Sequence, residues 1–378
     1  MILSRLILKQ FRSWPRFDLD FDRRPVALYG PNGSGKTNVL EAVSMLSPGR
    51  GMRGAAPADQ ARQGVGAGWR IRAQIGDRQV ETSALPGVTR SVSIDDKPAP
   101  QLALGSLMRV IWLTPAMDRL WTEAPEGRRR FLDRITLSFH PDHAEVSLSY
   151  DKAMRERNRL LRDQVTDPGW YRALEARMGE AGAQITRNRL AALTAIMAAQ
   201  DAATGFPAAR LTLLPGEGFA DDPDGDDIAG RLAAMRARDL AAGRSLTGPH
   251  RADLGAIWGD QDMPAALSST GEQKALLLSV ILANARALSD QPVLLLLDEV
   301  AAHLDADRRA ALYDQIAALP AQTLLTGTGA ELFEAIAARA QMIAVTRADG
   351  ASGMASGQPD AISFRSSIRS AGRSAHRP

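Results

Sequence analysis

The run Gly30-Pro31-Asn32-Gly33-Ser34-Gly35-Lys36-Thr37 constrains the chain more than any other stretch of its 378 residues. Its glycines let backbone N–H groups converge without intervening side chains, as a bound polyphosphate requires. The flanks suit this. Residues 25–29 read as a short buried strand, and residues 38–46 carry apolar side chains at helical spacing. A strand, loop and helix in that order aim a helix N-terminus at the phosphates. Lys36 is therefore assigned to the β- and γ-phosphates of a nucleoside triphosphate, and the Thr37 hydroxyl to Mg²⁺. A plain glycine turn between strand and helix is the bland alternative.

Length and composition set the outer bounds. A chain of this size buries a large core and is expected to divide into more than one lobe. It has no cysteine, which excludes a disulfide framework and a thiolate metal site and fits a reducing cytosol. The first ten residues are too short and too soon charged for a signal peptide. No apolar run approaches the ~20 residues of a membrane span, so a soluble, cytoplasmic protein with no membrane partner is expected. The segment from Arg347 to Pro378 holds five arginines and two aspartates, a net +3 that equals the charge of the whole chain. The body is then close to neutral, and any nucleic-acid contact must come from local patches. The tail is small and polar and is expected to be disordered. Its Arg365, Arg369, Arg373 and Arg377 recur every fourth residue, a spacing that can line one helix face.

Along the chain, strands are expected at residues 3–8 and 16–22, followed by the cradle and its helix. Residues 69–75, 78–82 and 90–94 read as an antiparallel meander, and residues 108–113 as a further strand. From about 126 to 204 the composition turns helical. Tyr150, Met154, Asn158 and Leu161 share one helix face, and after the break at Asp167-Pro168-Gly169 so do Leu174, Met178, Ala181 and Ile185. This predicts an antiparallel helical hairpin whose second helix, about 30 residues long, reaches roughly 45 Å. Pro215 to Asp227 is a turn-rich, acidic connector. The unbroken apolar run 293–297 predicts a buried parallel strand, with later strands of the same sheet at 323–326 and 342–345.

Asp298 and Glu299 end that apolar run at the carboxyl edge of the sheet, where open α/β folds place ligands. One acid there can hold Mg²⁺ brought by the nucleotide, and the next can polarise an attacking water. Two solvated acids opening a loop are the alternative. Between cradle and acids lies Ser268-Ser269-Thr270-Gly271-Glu272-Gln273-Lys274, a turn opening an apolar helix. A serine hydroxyl, backbone amides and a helix start make a second anion site; an ordinary N-capped helix is the other reading. Two such sites meet at one γ-phosphate when two chains face head to tail.

These segments resemble the ABC-type ATPases, whose signature sequence matches the Ser269–Gly271 turn about 30 residues before Asp298. The turn at Ala301 to Asp305 resembles the D-loop, which in that family contacts the partner subunit, with Asp305 as the matching aspartate. Lys9-Gln10-Phe11-Arg12-Ser13, the cradle and Asn38 to Ala42 are similar to the chromosome-associated heads of the SMC and RecF families. Ser47-Pro48-Gly49-Arg50 with Arg53, Pro125 to Asp133 and Thr247 to Asp253 resemble RecF-family segments. About 230 residues separate Lys36 from Ser269, more than a transporter subunit inserts and too few for a long coiled coil.

The resemblance implies an α/β fold: an ABC-type P-loop ATPase head with a mixed, largely parallel sheet lobe and a helical lobe carrying a short antiparallel arm. It divides the chain into 1–113 and 247–346 for the sheet lobe, 114–246 for the helical lobe, and 347–378 for a basic tail. It implies ATP and Mg²⁺ as ligands, with Gly30 to Asn38, Ser269, Gly271 and Asp305 as nucleotide contacts. Lys36, Asp298 and Glu299 would be catalytic, and Thr37 and Asp298 would face the metal. It further implies a weak, DNA-stimulated ATPase that dimerises with ATP on DNA at single/double-strand junctions, and RecR and RecO as partners in loading RecA.

Two departures stand out. No glutamine lies near Thr114-Pro115-Ala116-Met117, where ABC heads have one, and Thr326 stands where transporters carry a switch histidine. His250 and His303 are read as packing or hydrogen-bonding residues and do not replace it. Arg128, Arg129, Arg130 and Arg134, with Arg155, Arg157 and Arg159 on the arm, form a candidate phosphate-contacting patch for sequence-neutral DNA binding. A solvated helix surface with ion pairs is the competing reading. An SMC-like structural ATPase, a transporter subunit and a DNA-binding module without nucleotide chemistry are the alternative functions. The short arm, the absent histidine and the pairing of Lys36 with Glu299 argue against each in turn.

Overall fold

The structure, a computed structural model, describes residues 2–200, 206–216, 227–259 and 262–355. The arginines at 365, 369, 373 and 377 and most of the 215–227 connector lie outside the described residues, as does the side chain of His303.

Strands β1 (Leu3–Phe11) and β2 (Trp14–Asp20) form a hairpin; β1 buries Leu3, Leu6, Leu8 and Phe11, its alternation interrupted by a register shift between Leu3 and Arg5. β3 (Val26–Tyr29) leads into the cradle and α1 (Lys36–Ser44). After the short α2 (Pro57–Gln60), the strands β4 (Trp69–Ile75), β5 (Arg78–Ala84), β6 (Ser91–Ile94) and β7 (Lys97–Pro98) extend the first sheet in the order β2-β1-β4-β5-β6-β7. Every pair in it is antiparallel, as the meander reading expected. β2 begins at Trp14, two residues earlier than its alternation suggested, because the Trp14 indole donates to the Gly35 carbonyl at 3.0 Å and fixes the chain there.

A short α3 (Leu104–Leu107) precedes β8 (Arg109–Leu113), and three long helices follow: α4 (Pro125–Phe139), α5 (His143–Arg162) and α6 (Pro168–Ala198). α5 and α6 pack along each other as the expected hairpin, and α6, at 31 residues, extends about 46 Å. β9 (Ala209–Leu214), α7 (Ile228–Ala234), α8 (Arg236–Ala242), β10 (Asp253–Trp258) and β11 (Met263–Pro264) come next. The three strands form a separate small sheet in the order β11-β10-β9.

The chain then supplies α9 (Thr270–Ala287), β12 (Val293–Leu297), α10 (Ala306–Ala318), β13 (Ala321–Gly327), β14 (Gln341–Ala348) and β15 (Ala351–Met354). The second large sheet runs β15-β14-β3-β13-β12-β8, parallel except at β15. All five residues of β12 are buried, as befits a parallel strand covered on both faces. α1 touches both β1 and β13. Its Val39, Leu40 and Val43 share one core with Leu6, Ile71, Leu294 and Leu324, so the cradle helix is packed between the sheets. The other face of the parallel sheet shares a core with residues of α4, α9 and α10, including Leu132, Leu277 and Leu312.

The structure corrects the expected start of the tail. Residues 347–354 are not loose chain: Ala348 pairs with Ala351 across Asp349-Gly350. Both turn residues have positive φ, 49° and 74°, the backbone a two-residue hairpin needs and an Asp-Gly pair supplies.

Candidate functional site

α1 starts without a cap. Gly35 at its N-cap is left-handed (φ 108°), no side chain caps the first amides, and no acid lies in the first turn. Those amides are the free donors of a helix start and carry its partial positive charge. Gly30, with φ 149°, could carry no side chain, since a Cβ there would lie 2.1 Å from the Val345 carbonyl oxygen. Pro31, Asn32 and Gly33 are exposed, whereas Ser34 is buried and its Oγ has no partner. Lys36 is 3% exposed and donates to the carbonyls of Gly30 at 2.7 Å and Pro31 at 2.9 Å. Burial lowers its pKa, while Glu299 and Asp298 pull it back up.

The acid strand arrives beside this loop. Thr37 donates to Asp298 Oδ1 at 2.8 Å, and Thr326 donates to the same oxygen at 2.7 Å. The Glu299 amide in turn donates to Thr326 Oγ1 at 2.9 Å. Glu299 is left-handed (φ 53°), a strained conformation for a non-glycine residue. Thr326, noted in the sequence only as a missing histidine, is thus the residue that ties the two acids together.

The first hairpin and the last one close around the loop. Asn38 donates to Ser13 Oγ at 2.7 Å; Ser352 donates to the Ser34 carbonyl at 2.5 Å, and its Oγ lies 2.6 Å from Ser13 Oγ, which can donate to it. Arg12 and Arg53 both reach the buried Glu41, at 2.5 Å and 3.2 Å. Next to them lies a cavity of about 440 Å³ lined by Arg12, Ser13, Asn38, Arg62 and Arg347 among others. Ser352 and Arg347 carry no sequence signal for this role, because the small polar residues around the Asp349-Gly350 hairpin that returns them to the loop resemble a tail.

The second anion-site candidate stands apart. Ser269 caps α9 in a reciprocal capping box with Glu272: the Ser269 amide and hydroxyl donate to Glu272 Oε2 at 2.8 Å each, and the Glu272 amide donates back at 3.4 Å. These hydrogen bonds to Ser269 hold the Glu272 carboxyl below its usual range. Ser269 and Gly271 are exposed, and nothing lies within 4 Å of a Cβ built on Gly271. Asp305 caps α10, accepting from the Arg308 amide at 2.8 Å, and its side chain is 61% exposed. Neither turn hydrogen-bonds to the cradle residues within this chain among the described residues.

The donor set fits a Mg²⁺-bound triphosphate: a cradle with uncapped amides, a buried lysine, and a hydroxyl–carboxylate pair. Among the described residues no group of three or more His, Asp or Glu side chains could hold a metal by itself.

The seven arginines do not form one exposed patch. Arg157 is fully buried, bonded to Asp239 at 2.6 Å, Ser245 at 2.8 Å and Glu175 at 3.2 Å. Arg128 pairs with Asp253 at 2.7 Å, Arg129 donates to the Ala252 carbonyl at 3.0 Å, and Arg134 stacks on Trp112. Of the seven, only Arg130, Arg155 and Arg159 remain exposed. His250 is structural as expected: its Nε2 donates to the Ser245 carbonyl at 3.1 Å, so its Nδ1 accepts from the Tyr150 hydroxyl at 2.9 Å.

A profile of the AAA domain matches residues 5–62. The "DNA replication and repair protein RecF" of Rhizobium meliloti (strain 1021) is 44% identical over 367 residues, 91% of this chain and 97% of its own length. The protein of the same name from Caulobacter vibrioides is 44% identical over 369 residues, 89% of this chain and 95% of its own. Among solved structures, the recombination mediator RecF with ATPrS superposes with TM-score 0.78 at 20% identity, over 93% of this chain and 97% of that one. An Smc head domain from Pyrococcus furiosus gives 0.55 at 18% identity, over 94% and 96%. The fold they share with this chain is the ABC-type ATPase head.

Proposed function

The chain belongs to the RecF family, and from that premise we propose that it is an ATP-dependent DNA-repair protein whose nucleotide site is completed by a second copy of itself. ATP lies on the Gly30–Asn38 cradle of one protomer and is capped by Ser269 and Gly271 of the other, with Asp305 on the partner-facing turn. Thr37 and Asp298 are the residues that would hold Mg²⁺, which when bound offsets charge on the phosphate oxygens. Lys36 brings positive charge to the phosphates from a buried position, where it acts more strongly than in water. Asp298 is oriented by two hydroxyls. Glu299, its amide anchored on Thr326, is the group that accepts a proton from the attacking water. The cavity beside Arg12 and Asn38 offers room for the nucleoside.

Because the triphosphate is shared, its binding energy goes into association, and slow, DNA-stimulated hydrolysis sets how long the clamp persists. The DNA is bound without sequence preference at junctions of single and double strands. The protein then helps RecO and RecR load RecA in gap repair. One solved relative is described as a recombination mediator of the RecFOR pathway, which supports that assignment.

The observation that carries this reading is the hydrogen-bond chain from Thr37 through Asp298 and Thr326 to the Glu299 amide, beside an uncapped helix start. Light scattering with and without MgATP tests it on wild type, Lys36→Ala and Ser269→Arg. Wild type is expected to double in mass with MgATP, and both variants to stay monomeric. A Ser269→Arg chain that dimerises as wild type does removes the capping role; a Lys36→Ala chain that does so removes the nucleotide dependence.

A further inference from the structure

A cavity of about 360 Å³ opens where the segment after α1 meets β8, α4 and the first turn of α5. Ser47, Gly49, Arg109, Asp133, Arg134 and His143 are among its lining residues, and none of the cradle residues is. Its chemistry is not that of a packing defect. Arg134 lays its guanidinium 3.2 Å from the centroid of the Trp112 ring and has no hydrogen-bond or ion-pair partner among the described residues. Burial pushes its pKa down to about 9, with no carboxylate to offset it. Arg109 donates to the Gly105 carbonyl through one nitrogen, while its Nε is buried without a partner.

His143 is 2% exposed; its Nε2 meets Asp133 Oδ1 at 3.1 Å, and its Nδ1 is buried with no partner. Asp133, the acid of the lining, is already engaged by two bonds from Arg189 at 2.8 and 3.1 Å. Arg130 at the rim is paired with Glu126. Asp290 acts on Arg109 from outside the lining, so the cation left without a counterion is Arg134. The first turn of the 20-residue helix α5 forms one wall, its partial positive charge shared with the exposed Asp142 and Glu145. Buried polar atoms without partners are rare and point to a group that completes them.

We propose that this cavity binds a small phosphate-bearing anion, clasped by the guanidinium groups of Arg134 and Arg109 and by the free imidazole nitrogen of His143. With Nε2–H donating to Asp133, Nδ1 presents a lone pair. A phosphate that retains a proton can donate to that lone pair; sulfate, fully deprotonated, cannot. The size lies at the small end of ligand pockets, which suits a phosphate ion or a phosphate on a compact organic carrier.

Calorimetric titration of the full chain with inorganic phosphate, sodium sulfate and adenosine monophosphate tests this in wild type, Lys36→Ala, Arg134→Gln and Arg134→Lys. Phosphate binding is expected to survive Lys36→Ala, to weaken at least about tenfold in Arg134→Gln, and to be largely kept in Arg134→Lys. Sulfate is expected to bind more weakly than phosphate, and MgATP affinity to change less than about twofold in Arg134→Gln, since the sites are separate. Adenosine monophosphate binding with the same Arg134 dependence assigns the phosphate to an organic carrier; phosphate binding without it assigns the free ion. Phosphate binding that vanishes with Lys36→Ala, or is unchanged in a folded Arg134→Gln, overturns the proposal. If Arg134→Gln does not fold, His143→Ala decides: the preference for phosphate over sulfate must disappear, and its retention is equally fatal.

Discussion

Thr326 donates its hydroxyl hydrogen to Asp298 Oδ1 at 2.7 Å, from a strand lying between the cradle strand and the acid strand. The same hydroxyl oxygen accepts from the Glu299 amide. Thr326→Val keeps the shape and removes both bonds. ATP turnover is expected to slow by roughly tenfold to a hundredfold, the cost of one lost buried acceptor–donor set, with nucleotide affinity nearly unchanged. Steady-state phosphate release set against a nucleotide titration separates the two.

Glu299→Gln leaves a side chain of equal size on the same left-handed backbone but removes the proton acceptor. Hydrolysis should fall by about 10²–10⁴-fold, and the ATP-dependent dimer should outlive that of wild type. Sizing after nucleotide removal checks the lifetime, and single-turnover hydrolysis checks the rate.

The arginines of the arm divide into two kinds. Arg157→Ala strands the fully buried Asp239, while Glu175 keeps Arg236, and should cost about 3–5 kcal/mol of stability, visible as a lower denaturation midpoint. Arg155→Ala and Arg159→Ala, on exposed side chains, should leave stability within about 0.5 kcal/mol. If those two touch phosphate, each lowers the salt slope of DNA binding by about one. An unaltered slope would exclude them from the DNA surface.

Burial holds the His250 ring at about 4 against an ordinary 6.5, opposed by its bond to the Ser245 carbonyl. As pH falls below 6.5 the unfolded chain takes up this proton before the folded one, so stability declines between about pH 6.5 and 4. The total loss is on the order of 3 kcal/mol. His250→Gln should flatten the stability profile between pH 5 and 6.5, measured by denaturant titration. An unchanged slope would place the ring elsewhere.

Local pattern carried most of the fold. The cradle, the run 293–297 ending on two acids, the meander and the helical hairpin each declare themselves within a few residues, through glycine spacing or apolar period. What the sequence hid depends on distant partners. β9 and β10 pair Ala209 with Trp258, and neither strand has an apolar run long enough to announce itself. Arg128 and Arg157 look in sequence like Arg155, but Asp253 lies 125 positions from Arg128 and Asp239 lies 82 from Arg157. Charge alone cannot say which guanidinium meets a buried acid. Arg155 and Arg159 do share a helix face, four positions apart, and Arg157 between them points the other way. Asp349-Gly350 was a readable turn, masked by the small polar residues after it.

The position of β13 has a mechanical consequence. The phosphate loop and the acids sit on strands that never touch, each bonded instead to the one between. Any widening or narrowing of the gap as a γ-phosphate arrives or departs is therefore felt at the Thr37–Asp298 bond and by the interposed strand, tipped by Thr326. The chain leaving that strand runs through Gly327 to the turn at Ala330–Phe333, a direct lead from the chemistry to the exposed Glu331 and the core residue Phe333.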